Sequence, residues 1–563
     1  MRLVEIRLLE GPNIYRLEPA VRIEVVAGRA SAWRGSRLPP PAEWVALGRH
    51  LALKDVPAEV ARVARWVAFL SQRPDARTGG GQAHRPGVAV HRSADPGHWV
   101  VTYGWTRAGV AHEIGATAVR LAGRGSEPSR GDLRVDSWLR RVERAGRADD
   151  RPPAWIRDVE RSLPIVSVTG TNGKSTTTRL ISHIAVTAGR RTGSTTSDGV
   201  LVDGRLVESG DWTGPRGAAK VLGRADIDLA VLETARGGIL LRGVGYESND
   251  VSVVTNVSAD HLDLQGIHTL PELADVKSVV ARITRPDGWA VLNGEDRLVA
   301  RMARRVRARV CLFTTDPRTP RVGRHLARGG RAELLEDGWL VEREGVVRRP
   351  IVPVAAVPIT LGGLAEHNIA NALAAVGAAR GLGLAPGVVA HGLRSFAPDA
   401  ENLPGRLNLY QLGGRTVIVD FAHNEAGLGA LLDVADRLAG RTRRGTPGRP
   451  LAVIVGTGGD RPPDALAAIG RLAGTRADRV LLKETRTYLR GSTRQAVLAG
   501  LSAGLAQAAR DPAATPVFPD ELSALRFEIE AGPPDEVLAI MCHEQRDEVA
   551  AELLAQGGRP IQS

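Results

Sequence analysis

From Pro164 to the end of the chain, short β-branched runs alternate with stretches of helical periodicity. That alternation admits few folds other than a parallel sheet wrapped by helices, an α/β architecture. Ile165-Val166-Ser167-Val168 reads as a buried strand, and Leu229-Ala230-Val231-Leu232 and Val251-Ser252-Val253-Val254 read as two more. A β-rich excursion is expected near residues 330–362. A proline-punctuated hinge follows, from Phe396-Ala397-Pro398 to Leu403-Pro404-Gly405-Arg406, and a second alternating region runs to the C-terminus. At 563 residues and 43% hydrophobic the chain is too long for one core. The expected division is a small mixed α/β domain at 1–130, a charged and Pro-broken linker at 131–163, a central domain at 164–397 and a C-terminal domain at 398–563.

Only five of the 75 basic residues are lysine: Lys54, Lys174, Lys220, Lys277 and Lys483. Where arginine serves for positive charge, a retained lysine marks a candidate site for a compact point charge or a reactive amine. Lys174 lies in Gly170-Thr171-Asn172-Gly173-Lys174-Ser175-Thr176, between a strand and a helix. Glycines there let backbone N–H groups approach phosphate, the helix N-terminus favours the anion, Lys174 reaches the outer phosphates, and Ser175 has the hydroxyl for Mg²⁺. The loop is a shortened variant, because Val168 stands where the longer pattern has its first glycine.

Two further strand ends carry suitable side chains, Glu233 after the second strand and Asp260-His261 after the third. Parallel strands share one carboxyl edge, so both groups are expected to face the phosphate loop. His261 reads either as a loop histidine or as a ligand. Thr269-Leu270-Pro271-Glu272 opens a helix with a capping box. Lys277 then falls at the border of the apolar stripe Leu273, Val276, Val280 and Ile283. It is either a snorkelling stem or an amine whose lowered pKa lets it react, for example with CO₂ to form an anionic carbamate.

The formal charge of +13 is spread as arginines among acidic residues, and aromatic residues are only 4%, so neither nucleic acid nor a stacking platform is expected as a partner. Cys311 and Cys542 are too few for a disulfide framework. The apolar run Pro350–Ala365 is broken by Pro353 and Pro358. A soluble, cytoplasmic protein with no membrane partner is the expectation.

Together these residues resemble the Mur ligase superfamily of ATP-dependent amide-forming ligases, most of all the C-terminal, Mur-like half of cyanophycin synthetase. The shared features include Gly170-Thr171-Asn172-Gly173-Lys174-Ser175, Thr195-Thr196-Ser197-Asp198-Gly199, Thr213-Gly214-Pro215, Glu233-Thr234-Ala235-Arg236, Asp260-His261-Leu262, Asn293-Gly294-Glu295-Asp296, His367-Asn368-Ile369-Ala370-Asn371, Pro404-Gly405-Arg406 and Asp420-Phe421-Ala422-His423-Asn424, in family order. The resemblance implies a P-loop central domain and a Rossmann-like C-terminal domain. It implies that Lys174 and Ser175 hold ATP and Mg²⁺, that Glu233 and His261 ligate the metal, and that Lys277 is a carbamylated lysine at the metal site. It places Asn293, Asp296, His367 and Asn368 at the adenine, and Arg406 and Asp420 where the hinge closes over ATP. Thr213, Gly214, Pro215, Arg236, His423, Asn424, Arg461, Lys483 and Glu484 are implied as substrate-binding.

The start, Arg2-Leu3-Val4-Glu5-Ile6-Arg7-Leu8-Leu9-Glu10-Gly11-Pro12-Asn13, is similar to the N-terminal domain of cyanophycin synthetase. In that family an ATP-grasp domain follows, and here about 35 residues leave no room for one. The implied function is an ADP-forming acid–amino acid ligase acting through an acyl phosphate, adding arginine or another amine to a carboxylate made elsewhere, on an aspartate-rich peptide or polymer. The alternatives are a ligase for another peptide or small-molecule acid, or a catalytically silent ATP-binding partner of a separate ATP-grasp protein. Self-association is open.

Overall fold

A computed structural model describes residues 1–28, 44, 47, 51, 53–72, 87–124, 133–260, 262–441, 448–489 and 491–561. Three sheets organise them. The first is antiparallel, in the order Arg2–Leu9, Ala20–Val26, His98–Gly104, Ala89–Arg92. Helices Ala58–Ser71 and Ala108–Gly123 cover it, and Val21, Ile23, Trp66, Phe69, Val101 and Tyr103 meet in its core.

Residues 133–148, inside the stretch expected as a linker, form a helix that packs on this core. Val142 is fully buried and Trp138 meets Trp66 edge-on at 5.5 Å. Arg140, Arg141 and Arg144, whose charge suggested a linker, are its exposed face.

The second sheet has eleven strands. Its middle is parallel and runs Arg331–Glu336, Arg309–Thr314, Thr284–Asn293, Asn249–Val254, Ile165–Thr169, Leu229–Glu233, Thr192–Thr195. Antiparallel strands extend both ends: Trp339–Glu344 and Val347–Pro353 on one side, which realise the expected β-rich excursion, and Gly199–Val202 and Arg205–Ser209 on the other. Separate apolar cores on the two faces hold the helices, with Lys174–Thr187 and Glu366–Gly381 on one and Leu270–Arg282 on the other. The strand feeding the phosphate loop lies between the strands that end in Glu233 and Val254. Their three carboxyl-end loops are therefore neighbours, as a parallel sheet requires.

The third sheet runs Val517–Phe518, Arg479–Lys483, Leu451–Val455, Val537–Met541, Arg415–Asp420, Asn408–Leu412, Arg559–Pro560, parallel through its first five strands. The α/β fold class expected from the alternation is the one observed. Asn408 cinches the hinge, donating to the carbonyls of Pro398 (3.0 Å) and Leu403 (3.1 Å) and accepting from the Gly405 N–H (2.7 Å). Among the described residues no helix is long and apolar enough to cross a membrane.

The first sheet is joined to the second through backbone. The Glu10 N–H donates to the Arg242 carbonyl at 2.6 Å, and the Val244 N–H donates to the Pro12 carbonyl at 2.7 Å. Gly243 makes this approach with φ 82° and ψ −179°, a region essentially closed to other residues, and a Cβ there would lie 2.6 Å from the Gly11 carbonyl oxygen. Gly243→Ala is expected to cost about 1–3 kcal/mol or more, read as a lower denaturation midpoint. An unchanged midpoint would count against a rigid seam.

Candidate active site

The phosphate loop is shaped by its glycines. Gly170 has φ 153° and a Cβ on it would sit 1.8 Å from Thr255 Oγ1, while Gly173, with φ 83°, would place one 2.3 Å from Asn371 Oδ1. The neighbouring strand end braces the loop. The Thr171 N–H donates to the Asn256 carbonyl (3.0 Å), the Asn172 N–H to Asn256 Oδ1 (2.9 Å), and Thr255 Oγ1 to the Asn172 carbonyl (2.7 Å). Lys174 folds back over it, with Nζ donating to the Thr171 carbonyl at 2.9 Å.

Ser175 lies in the first turn of the helix Lys174–Thr187, and its hydroxyl donates to Glu233 Oε2 at 2.7 Å. Burial, which Lys174 and the serine hydroxyl only partly offset, raises the Glu233 pKa above the usual carboxylate value. A hydroxyl and a carboxylate at a phosphate loop are hard oxygen donors of the kind Mg²⁺ takes, so the residues present fit that ion.

Lys277 completes this end. Its helix, Leu270–Arg282, starts with the expected capping box between Thr269 and Glu272. The side chain is 4% exposed, and Nζ donates to the Gly170 carbonyl at 2.7 Å. Burial first, then the Lys174 charge, brings its pKa down to about 7. The snorkelling alternative is excluded, because the head group is buried with the stem.

Opposite lies a clasp that the sequence reading did not assign. Asp198 Oδ2 accepts from Arg179 (3.1 Å) and Arg406 (2.9 Å), and Oδ1 accepts from Arg546 (2.8 Å). Burial works against its ionisation, but Arg406, Arg546 and Arg179 outweigh it and hold the carboxyl well below the usual range. Arg406 also donates to Ser175 Oγ at 3.1 Å and Ser197 Oγ at 3.0 Å. In the sequence Thr195–Gly199 reads only as a shared motif, with no role attached. Arg179 and Arg546 had no signal at all, since single arginines are invisible in so arginine-rich a chain.

Gly170 through Thr176, Thr213, Glu233, Arg236, Lys277, Asn293, Asp296, His367, Asn368, Arg406, Asp420 and His423 all line one cleft of about 930 Å³ between the second and third sheets. Asn293 Nδ2 donates to the Thr255 carbonyl at 2.8 Å, and Asp296 Oδ2 accepts from the Val257 N–H at 2.6 Å while its other oxygen caps the helix Arg297–Met302. Asn368 donates to the Ile359 carbonyl at 3.0 Å, and burial lowers the His367 pKa to about 4, leaving a neutral ring. Asp420, its pKa raised by burial, accepts from the N–H groups of Leu407 and Ala422. His423 Nε2 lies 3.5 Å from Asp260 Oδ2, whose other oxygen accepts from Arg461 at 3.0 Å. His261 lies outside the described residues.

Six of the implied substrate residues stand back from the cleft wall. Gly214 and Pro215 cap and start the helix Pro215–Leu222. Asn424 caps the helix Glu425–Leu438 and pairs reciprocally with Asn172, at 3.3 and 3.1 Å. Arg461 is occupied by Asp260 and Asp460. Glu484 accepts from Arg494 at 3.1 Å. Lys483 is fully buried, donating to Glu521 Oε1 (2.6 Å), His543 Nδ1 (3.0 Å) and Thr485 Oγ1 (3.2 Å). It ends the strand Arg479–Lys483, and its ammonium group is taken up by these partners within the fold.

The family models for the Mur ligase middle domain and the Mur ligase glutamate ligase domain match residues 168–379 and 405–541. A cyanophycin synthetase from Synechocystis sp. is 44% identical over 322 residues, 57% of this chain and 36% of that protein. A UDP-N-acetylmuramoyl-L-alanyl-D-glutamate–2,6-diaminopimelate ligase from Corynebacterium efficiens is 30% identical over 389 residues, 67% of this chain and 69% of that one. The chain thus spans 36% of the Synechocystis synthetase and 41% of its Trichormus variabilis counterpart. In fold it is similar to a Yersinia pestis bifunctional folylpolyglutamate synthase/dihydrofolate synthase solved with AMPPNP and Mn, at TM-score 0.50 and 20% identity, over 70% of this chain and 89% of that one.

Lys483→Met is expected to lower stability by about 3–5 kcal/mol, the cost of stranding a buried carboxylate, read as a lower denaturation midpoint. A stable variant with weakened substrate binding would return Lys483 to the substrate site.

Proposed function

The chain belongs to the Mur ligase family, and from that membership we propose that it is an ATP- and Mg²⁺-dependent acid–amino acid ligase that forms an amide with release of ADP and phosphate. The observation that carries the reading is the hydrogen-bonded Ser175–Glu233 pair, set between Lys174 and the buried Lys277 in a cleft whose far wall belongs to the C-terminal sheet. Bound ATP with Mg²⁺ would supply the phosphoryl group and neutralise its oxygens.

In this reading Lys174 steadies the outer phosphates, and Ser175, Glu233 and His261 hold the metal. The loops around Asn293, Asp296, His367 and Asn368 take the base. Arg406 and Asp420 carry the hinge side. Positioning and charge are the main catalytic work for phosphoryl transfer. A substrate carboxylate oxygen attacks the terminal phosphorus and ADP leaves. The amine then attacks the acyl carbon, losing a proton as phosphate departs.

Lys277 fits the implied carbamate. With a pKa near 7 a large share of its amine is neutral at neutral pH, and the neutral amine is the form that adds CO₂. The carbamate would place a negative charge beside Glu233 for the metal. The amine substrate is assigned to the His423 side of the cleft and the acid to the Thr213 and Arg236 side. Cyanophycin-synthetase-like chemistry, arginine joined to an aspartate carboxylate, is the first pairing to test.

With ATP, Mg²⁺, arginine and an aspartate-rich peptide, mass spectrometry is expected to show an arginine-dependent adduct and stoichiometric ADP, both lost in Lys174→Ala. Nucleotide binding without turnover over a broad panel of acids and amines would instead favour the silent partner. Lys277→Arg should keep the fold and lose about 100-fold or more in turnover. Removing CO₂ should slow the wild type, and bicarbonate should restore it. That dependence should steepen as pH falls below about 7 and the Lys277 amine protonates. A CO₂-independent enzyme with an active Lys277→Arg variant would rule out the carbamate.

A further inference from the structure

We propose that Arg546, the first residue of the helix Arg546–Ala555, is a second arginine for the terminal phosphoryl group of the bound nucleotide, working beside Arg406. The inference rests on the nucleotide reading of the cleft.

Its placement is the first reason. Arg546 and Arg406 take opposite oxygens of the Asp198 carboxylate, at 2.8 and 2.9 Å. Their guanidinium carbons lie 5.4 and 5.6 Å from the centre of the Phe421 ring. Both line the cleft. Arg406 reaches Ser175 Oγ at 3.1 Å, so the pair stands at the outer-phosphate end of the loop rather than at the base.

The second reason is that the hinge makes room for it. Gly405 adopts φ 63°, and a Cβ at that position would lie 2.4 Å from Arg546 Cδ. Arg546 also donates to the neighbouring Pro404 carbonyl at 3.3 Å. A bulkier hinge residue would push the side chain away from Asp198. The hinge and the start of the last helix are thus fitted to each other at the point where the domains meet the phosphate loop.

Charge is the third. One guanidinium is enough to neutralise the charge of one carboxylate. Asp198 has three, and Lys174 stands close enough to the same centre to act on Glu233. With Asp420, which also acts on Arg406, three carboxylates face these four cations and leave an excess of positive charge. A terminal phosphate is drawn to that excess. Arginine suits it, because its planar fork meets phosphate oxygens with two parallel bonds. Asp198 then serves as the counter-ion that aims both guanidinium groups. Because Arg546 is carried by the C-terminal sheet, its contribution is made only when that sheet closes on the loop.

The test compares a nucleotide that has the terminal phosphate with one that lacks it. Calorimetric titration of the full chain with AMPPNP and with ADP, each with Mg²⁺, is expected to show Arg546→Ala weakening AMPPNP about tenfold or more while ADP stays within about twofold. Arg546→Lys should fall between, keeping the charge but not the fork, and it carries the test if the alanine variant does not fold. A shift of equal size for both nucleotides, or none for either, would overturn the inference in favour of a domain latch, leaving the ligase reading intact. A wild-type chain that binds neither nucleotide would overturn the cleft reading and this inference together.

Discussion

The Asp198 carboxylate is the point on which the arrangement of the two large sheets depends. Arg179 comes from the helix behind the phosphate loop, Arg406 from the hinge and Arg546 from the last helix, and one buried carboxylate accepts from all three. Burying a charge costs several kcal/mol unless it is fully partnered. Three guanidinium groups meet that condition, and Phe421 fills the space beneath two of them. Because the folded pKa is depressed, the stabilisation is fully present above the unfolded value and is lost only as pH falls toward the folded one. The clasp therefore holds throughout the range in which Lys277 changes its protonation.

A second bridge joins the opposite wall of the cleft to the first sheet. His268 lies between Asp95, in the turn joining Ala89–Arg92 to His98–Gly104, and Asp263 of the loop after the strand Asn249–Val254, with ring nitrogens 2.8 Å from each carboxylate. Both nitrogens must donate, and those bonds raise its pKa. The loop itself has positive φ at Asp263, Gln265 and Gly266. Ion pairs this exposed are individually weak, but together with the Gly11–Gly243 seam they fix the first sheet to two segments that border the cleft.

What was legible in the sequence was whatever is encoded locally. Gly170 and Gly173 announce positive φ, Thr269 and Glu272 announce a helix start, and the β-branched runs announce strands whose carboxyl ends share an edge. Lys277 was legible because a lysine on an apolar stripe is anomalous in itself. The clasp was not, because it joins residues 179, 198, 406 and 546, and no local pattern distinguishes an arginine that will meet a distant carboxylate from one on the surface. The helix at 133–148 was missed for the reverse reason, since its charged outer face is conspicuous while Trp138 and Val142 are few. Lys483 fits the rule that a retained lysine is a special one, and the structure surrounds its ammonium group with Glu521, His543 and Thr485.

That network reaches the cleft. Glu521 accepts from Lys483, and Lys483 donates to His543 Nδ1, so the other ring nitrogen carries the proton and donates to the Ala422 carbonyl at 2.7 Å. Burial, with the Lys483 charge beside it, holds His543 neutral. The relay therefore has one consistent protonation pattern from Glu521 to the backbone of the loop that bears Asp420, Phe421 and His423. Thr457, just after the strand Leu451–Val455, donates to the His423 carbonyl at 2.7 Å and fixes the same loop. Phe421, on which the two arginines rest, stands edge-on to the His543 ring at 5.4 Å. A lysine buried within the C-terminal sheet thus sets the height of the platform from which Arg406 and Arg546 face the phosphate loop.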